Sequence, residues 1–209
     1  MKIIALDINN LTDARYFAAW NVNMLGLNIN PGDQEYISPE YFHALQEWIE
    51  GPEYALQIKT NMLSELEAFA RLYREDAFLI FNERNTDYPN ARQFLILNIN
   101  QFESFKDLKN ELEKLRQQVK GFILECNGQS WDHIVALFQE DETQWMKLLK
   151  EMPIFINLNF SQESILQFLK HEIHGICLRG GEEERVGVKS YDELDIIFEN
   201  IESFENKKM

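Results

Sequence analysis

The sequence has few cysteines, few glycines, little positive charge and no long apolar runs. Only Cys126 and Cys177 occur among 209 residues, with no CxxC pair and no Cys/His cluster. This rules out a disulfide framework, offers no zinc-site spacing and leads us to expect no metal and no cofactor. The 9 glycines are scattered, and no Gly/Ser-rich linker divides the chain. One domain is therefore expected over residues 1–204, with a frayed tail over 205–209. Lysine and arginine total 20 against 35 acidic residues, a net charge of −15. Such a chain repels phosphate backbones and anionic bilayers, so neither nucleic acid nor a membrane is an expected partner. No apolar stretch approaches the ~20 residues of a membrane span. The opening MKIIALDINN reaches Asp7 after about five apolar residues, too few for a signal-peptide core. The expected location is the cytoplasm.

Short apolar runs do occur, and there are eight: 3–8, 24–29, 54–59, 77–82, 94–99, 121–126, 154–159 and 174–179. They carry no long alternation, as expected of strands buried on both faces. Segments of helical period lie between them. SPEYFHALQEWI supplies Ser38 as N-cap and Pro39 at the first helical position. NMLSELEAFARLYRE stripes Leu63, Leu66, Phe69 and Leu72, and SWDHIVALFQEDETQWMKLLKEM holds one long helix or two short ones. SYDELDIIFENI opens on the capping-box pattern of Ser190 and Glu193. Strands alternating with helices predict an α/β fold: a single (β/α)8 TIM barrel, with a short or irregular unit at NERNTDYPNAR between strands four and five. An open doubly wound sheet is the competing arrangement.

The runs share a polar ending. Residues two apart on a strand face the same way, and polar pairs at that spacing recur: Asp7/Asn9, Asn28/Asn30, Gln57/Lys59, Asn98/Asn100, Glu125/Asn127 and Asn157/Asn159. Run eight ends in Arg179, two residues after Cys177. The residues between are apolar and must pack on helices, so the polar series should face inward at the C-terminal ends, where such barrels do chemistry. The second members, with Asn10 and Asn61, suit helix caps and turns. The first members lie within the runs. They form either a polar plug that satisfies itself or a site for a polar ligand.

The two ends of the chain resemble the phosphoribosylanthranilate isomerase family, a (β/α)8 barrel of tryptophan biosynthesis. MKIIALDINNLTDARYFAAWNVNMLGLNI (1–29) is similar to a family opening like KICGITNLEDA. DQEYISPEY (33–41) is similar to SPRYISPEE. ICLRGGEEERVGVKSYDEL (176–194) is similar to VDVSSGVEESPGKKD, with Gly181, Glu183, Gly187 and Lys189 in register. The resemblance implies an Amadori-type isomerase, but its functional positions are altered. The general-base cysteine falls on Leu6 and the glycine after it on Asp7. The arginine that holds the anthranilate carboxylate falls on Glu35. The strand-seven Gly-Gly falls on Leu158-Asn159, and the Gly-rich loop after strand six on NGQSWDH (127–133). The general-acid aspartate falls on Glu125. The strand-eight phosphate segment persists as Arg179-Gly180-Gly181.

Two readings follow. In one, the chain is an isomerase-like barrel that has lost the family reaction and keeps a site for a small polar or phosphorylated metabolite, as monomer or homodimer. In the other, it is an active sugar-phosphate isomerase with Glu125 as acid and Asp7 as base. Ligand contacts are expected from Arg179, Gly180 and Gly181 at an anion end, and from Asn28, Asn98, Asn157 and Lys59. Lys59 is expected to pair with Glu125 or Asp7. Trp131 could stack on a ligand from the rim, although helix packing is its default. His171 and His174 are expected on the surface at the opposite end, away from chemistry.

Overall fold

The computed structural model describes residues 1–59, 68, 71–73, 77–82, 92–126, 129–137, 142–171, 173–180, 183–185 and 188–207. Eight parallel strands close into a barrel in chain order: β1 (Lys2–Leu6), β2 (Met24–Asn28), β3 (Glu53–Ile58), β4 (Phe78–Phe81), β5 (Gln93–Asn98), β6 (Gly121–Glu125), β7 (Ile154–Asn157) and β8 (Gly175–Arg179). β8 pairs back onto β1, Lys2 opposite Gly175 through Leu6 opposite Arg179. This is the TIM barrel expected from the sequence; closure excludes the open sheet.

Seven helices are described: α1 (Leu11–Ala19), α2 (Pro39–Trp48), α3 (Phe105–Leu115), α4 (Trp131–Leu137), α5 (Glu142–Glu151), α6 (Gln162–Phe168) and α7 (Asp192–Asn206). Caps set several starts, because side-chain oxygens satisfy backbone N–H groups that have no helical partner. Asn10, Ser38 and Ser104 accept from Asp13, Tyr41 and Asp107. The segment after β6 forms two helices, not one. α7 departs from the expected capping box: Tyr191 is its N-cap without a side-chain bond, and Ser190 Oγ accepts from Asp192 N. α7 also continues through Glu205 and Asn206, into the segment expected to fray. Residues 83–91, most of the unit between β4 and β5, lie outside the described residues, as do Leu63, Leu66, Phe69 and Asn61.

Strand alternation divides the apolar residues into two cores. Outward residues such as Ile3, Leu25, Leu56, Leu97, Leu124 and Ile156 join the helices in one large cluster. Inward residues form a second cluster of Ile4, Leu6, Met24, Ala55, Ile80, Phe94, Ile123, Phe155 and Cys177. Both faces of the sheet are thus buried, which is why the runs lack long alternation. Two glycines shape the lower layer of the inner core. A Cβ on Gly121 would lie 3.0 Å from the Phe94 ring, and one on Gly175 would lie 2.6 Å from Phe155. Their absence lets Phe94 and Phe155 meet edge to face, with centroids 5.7 Å apart.

Candidate functional site

Strand parity carries the inward series up to a polar layer at the C-terminal mouth. Asn28, Gln57, Asn98, Glu125, Asn157 and Arg179 each stand two residues beyond an inward position: Gly26, Ala55, Ile96, Ile123, Phe155 and Cys177. β1 differs. Its inward residue at this level is Leu6, 1% exposed in the inner core. Asp7, one residue later, should point outward by parity. It reaches the mouth because its backbone is left-handed, with φ at 57°, a conformation that Asp tolerates better than most residues. The Gln57 amide holds it there, donating to Asp7 Oδ1 at 3.0 Å and accepting from Asp7 N at 3.1 Å.

Arg179 ties half of the mouth together. Its Nε donates to Asp7 Oδ2 at 2.6 Å, Nη1 to Asn157 Oδ1 at 3.2 Å and Nη2 to Glu125 Oε1 at 3.5 Å. Asn157 Nδ2 then donates to Glu125 Oε2 at 2.8 Å. Both oxygens of Asp7 and both of Glu125 are therefore engaged, the arrangement that buried polar groups require. Burial alone would lower the guanidinium pKa, but the Asp7 hydrogen bond and charge, with Glu125, outweigh it and raise the pKa.

The other half is open. A cavity of about 350 Å³ is lined by Asn28, Gln57, Asp33, Glu35, Lys59 and Asn82, among others. Asn28 Nδ2 donates to Asp33 Oδ2, and its Oδ1 accepts from both Asn30 N and Asn30 Nδ2. Asn30 also bridges to β3, donating to Gln57 O and accepting from Lys59 N. Lys59 does not pair with Glu125 or Asp7. It reaches Asp33 at 2.6 Å and is 61% exposed, because it lies past the end of β3 where its long stem extends to solvent. The Lys59 and Asn28 hydrogen bonds hold the Asp33 carboxyl below its usual range.

Asn98 stands apart from both halves. Its side chain accepts from Asn100 N and caps the short 3-10 turn Ile99–Gln101. Gly180 lies beside an internal carboxylate: an added Cβ would be 3.0 Å from Asp13 Oδ2. Asp13 is fully buried in α1 and held by Asn10 Nδ2 and the Tyr191 hydroxyl. Gly181 and Asn127 lie outside the described residues. Trp131 is 2% exposed and packs edge-on against Phe168, so it does not offer a ring to the rim. Cys126 and Cys177 are no substitute nucleophiles. Burial and then the Glu125 charge push the Cys126 thiol up to about 12, and burial raises Cys177 well above its ordinary value. Among the described residues, no group of His, Cys, Asp and Glu is gathered to hold a metal. No described helix is long and apolar enough to cross a membrane.

Sequence reasoning did not single out Asp13 or Asp33; Asn30 was visible in the polar series. Asp13 reads as an ordinary first-turn helix acid, and its approach to Gly180 depends on how α1 packs beside β8. Gln57 was visible in the polar series; its grip on Asp7 depends on a backbone angle that no spacing encodes.

No family model matches the sequence, and no curated protein does. Solved structures do match in fold. Phosphoribosyl anthranilate isomerase from Thermus thermophilus superposes with a TM-score of 0.70 at 17% identity, over 97% of this chain and 99% of that one. N-(5'-phosphoribosyl)anthranilate isomerase from Pyrococcus furiosus gives 0.72 at 12%, over 97% and 99%. A phosphoribosyl anthranilate isomerase in complex with reduced 1-(o-carboxyphenylamino)-1-deoxyribulose 5-phosphate gives 0.70 at 13%, also over 97% and 99%. The chain is similar to these proteins along nearly its whole length, with little sequence in common.

Proposed function

We propose that this chain is a diverged phosphoribosylanthranilate isomerase relative whose mouth binds a small polar metabolite, uncharged or cationic, and does not carry out the isomerisation. The carrying observation is the Arg179 bridge. Asp7 and Glu125, the candidate base and acid, both spend an oxygen on one guanidinium, and their remaining oxygens are taken by Gln57 and Asn157. An acid–base pair needs an oxygen within reach of a substrate proton. Here each oxygen already accepts one hydrogen bond from the protein, so a substrate proton must compete with Arg179, Gln57 and Asn157, even at Asp7, which borders the open cavity.

Two further features support this reading. Asp7 adopts the left-handed backbone that suits the glycine it replaces, which supports the frame that assigns Leu6 to the cysteine position. Glu35 lines the open cavity where the resemblance implies an arginine for a carboxylate. Both replacements put a carboxylate where the resemblance implies none, which disfavours an anionic substrate.

Two measurements test the proposal. Expression in a tryptophan auxotroph lacking the isomerase is expected to give no growth without tryptophan; rescue would overturn the loss of activity. Inorganic phosphate, titrated against the amide resonances of Arg179 and Gly180, is expected to leave them unmoved. Saturable shifts there would instead restore a phosphorylated ligand.

A further inference from the structure

A second opening in the barrel is at the end away from the mouth. A cavity of about 560 Å³ enters between the N-terminal ends of the strands, within the size range of small-molecule sites. Its inner wall is apolar and aromatic: Ile4, Met24, Phe78, Phe94 and Phe155. The phenylalanine rings lean on one another, Phe78 to Phe94 at 5.6 Å and Phe94 to Phe155 at 5.7 Å. Phe94 and Phe155 take these positions because Gly121 and Gly175 carry no Cβ to displace them.

The rim is basic. Lys2 opens β1, Lys120 directly precedes β6 and His174 directly precedes β8, and all three line the cavity. The backbone fixes their spacing: Lys2 N donates to His174 O at 3.1 Å and Lys120 N to Gln93 O at 2.7 Å. The His174 ring stands edge-on to Phe155, with centroids 5.1 Å apart, joining the basic rim to the aromatic wall. Glu53 is the one carboxylate among the lining residues. On a chain of net charge −15, this is a local inversion of sign. The charges also converge: burial first, then Lys2 and Lys120 with the chain's amino group, lower the His174 pKa.

We propose that this end of the barrel binds a small organic anion with an aromatic or apolar body, its carboxylate toward the Lys2 and Lys120 ammonium groups and its body on the phenylalanine wall beside the His174 ring. Apolar burial supplies affinity, and the cations select charge and orientation. The site is separate from the mouth, shares no residue with it and does not depend on what the mouth binds.

Benzoate and its neutral counterpart benzyl alcohol test this on the intact protein, each displacing 8-anilinonaphthalene-1-sulfonate in a fluorescence titration. Benzoate is expected to compete saturably, at least tenfold better than the alcohol, and to shift the ring resonances of Phe155 and His174. The double variant Lys2→Glu, Lys120→Glu changes only exposed rim residues. It is expected to keep the far-ultraviolet dichroism of the parent and weaken benzoate at least tenfold. The proposal is overturned by equal competition from the alcohol, by unchanged benzoate binding in the variant, or by shifts confined to Arg179 and Asn157. Sedimentation showing a second copy seated on this end, with the dye excluded, also overturns it.

Discussion

At the mouth, the inward residues are amides and charges that bind one another. At the opposite end they are phenylalanines, and the charges stand outside around an open space. The sequence advertises the mouth, where polar residues interrupt apolar strands at a regular place. Yet Arg179, Asp7, Glu125 and Asn157 are bonded to one another across half of it. The lower end carries no motif, and Lys2 and Lys120 look like ordinary surface residues. Their side chains nonetheless border a deep cavity. A polar series at strand ends is thus weak grounds for a ligand site until its internal partners are counted.

Two residues on β7 put this contrast to its largest test. Phe155 belongs to the apolar wall and Asn157 to the mouth network, one strand repeat apart. Phe155→Ala removes a ring that is 3% exposed and should cost about 3–5 kcal/mol. Asn157→Ala removes two hydrogen bonds and should cost about 1–3 kcal/mol. Urea unfolding of both variants checks the order. A larger loss from Asn157→Ala would mean that the mouth network, not the apolar wall, secures the barrel.

Removing Arg179 should have the next largest effect. Arg179→Met leaves two carboxylates without their cation. A fully buried pair broken this way loses about 3–5 kcal/mol. The Arg179 side chain is 39% exposed, so water recovers part of that and about 2 kcal/mol is expected. The triple variant Arg179→Met, Asp7→Asn, Glu125→Gln removes the orphaned charges too and should be more stable than the single one. If the triple is the less stable, the network contributes more than neutralisation, and the mouth would be a structural element in its own right.

The fold could be read from the sequence because its signal repeats. Eight apolar runs at helical intervals leave few closed arrangements, and Gln57, Glu125, Asn157 and Arg179 all fell on the predicted inward face. The errors came where parity stops at the strand end. Lys59 is one residue beyond β3, and its flexible stem chose Asp33 over the predicted Glu125 or Asp7. Asn98 caps its own turn, a local bond that competes with the ring. Asp7 does stand in the inward series, but through a left-handed backbone that pair spacing does not encode. His174, expected on the surface, is part of the rim of a cavity because the strand before it in space carries Phe155 and the residue after it is glycine. Pair spacing encodes the face of a strand but not which partner a long side chain takes.

The smallest expected effect separates the two ends by pH. His174 has a folded-state pKa below its ordinary 6.5, through burial and then the charges of Lys2, Lys120 and the amino group. The unfolded chain therefore binds the proton more readily, so the stability held by neutral His174 is complete above about pH 6.5 and is lost as pH falls through the lower folded value. At the mouth, Asp33 has its carboxyl lowered by Lys59 and Asn28. Its contribution is present above about pH 4 and is lost only as pH falls further. Melting temperature measured from pH 8 to 3 should show a shallow first decline that begins at about pH 6.5 and that His174→Gln flattens. The decline below about pH 4 should remain in that variant and shrink in Asp33→Asn. If His174→Gln left the first decline intact, the cations at the lower end would not be acting on His174, and the charge contrast between the two ends would lose its clearest support.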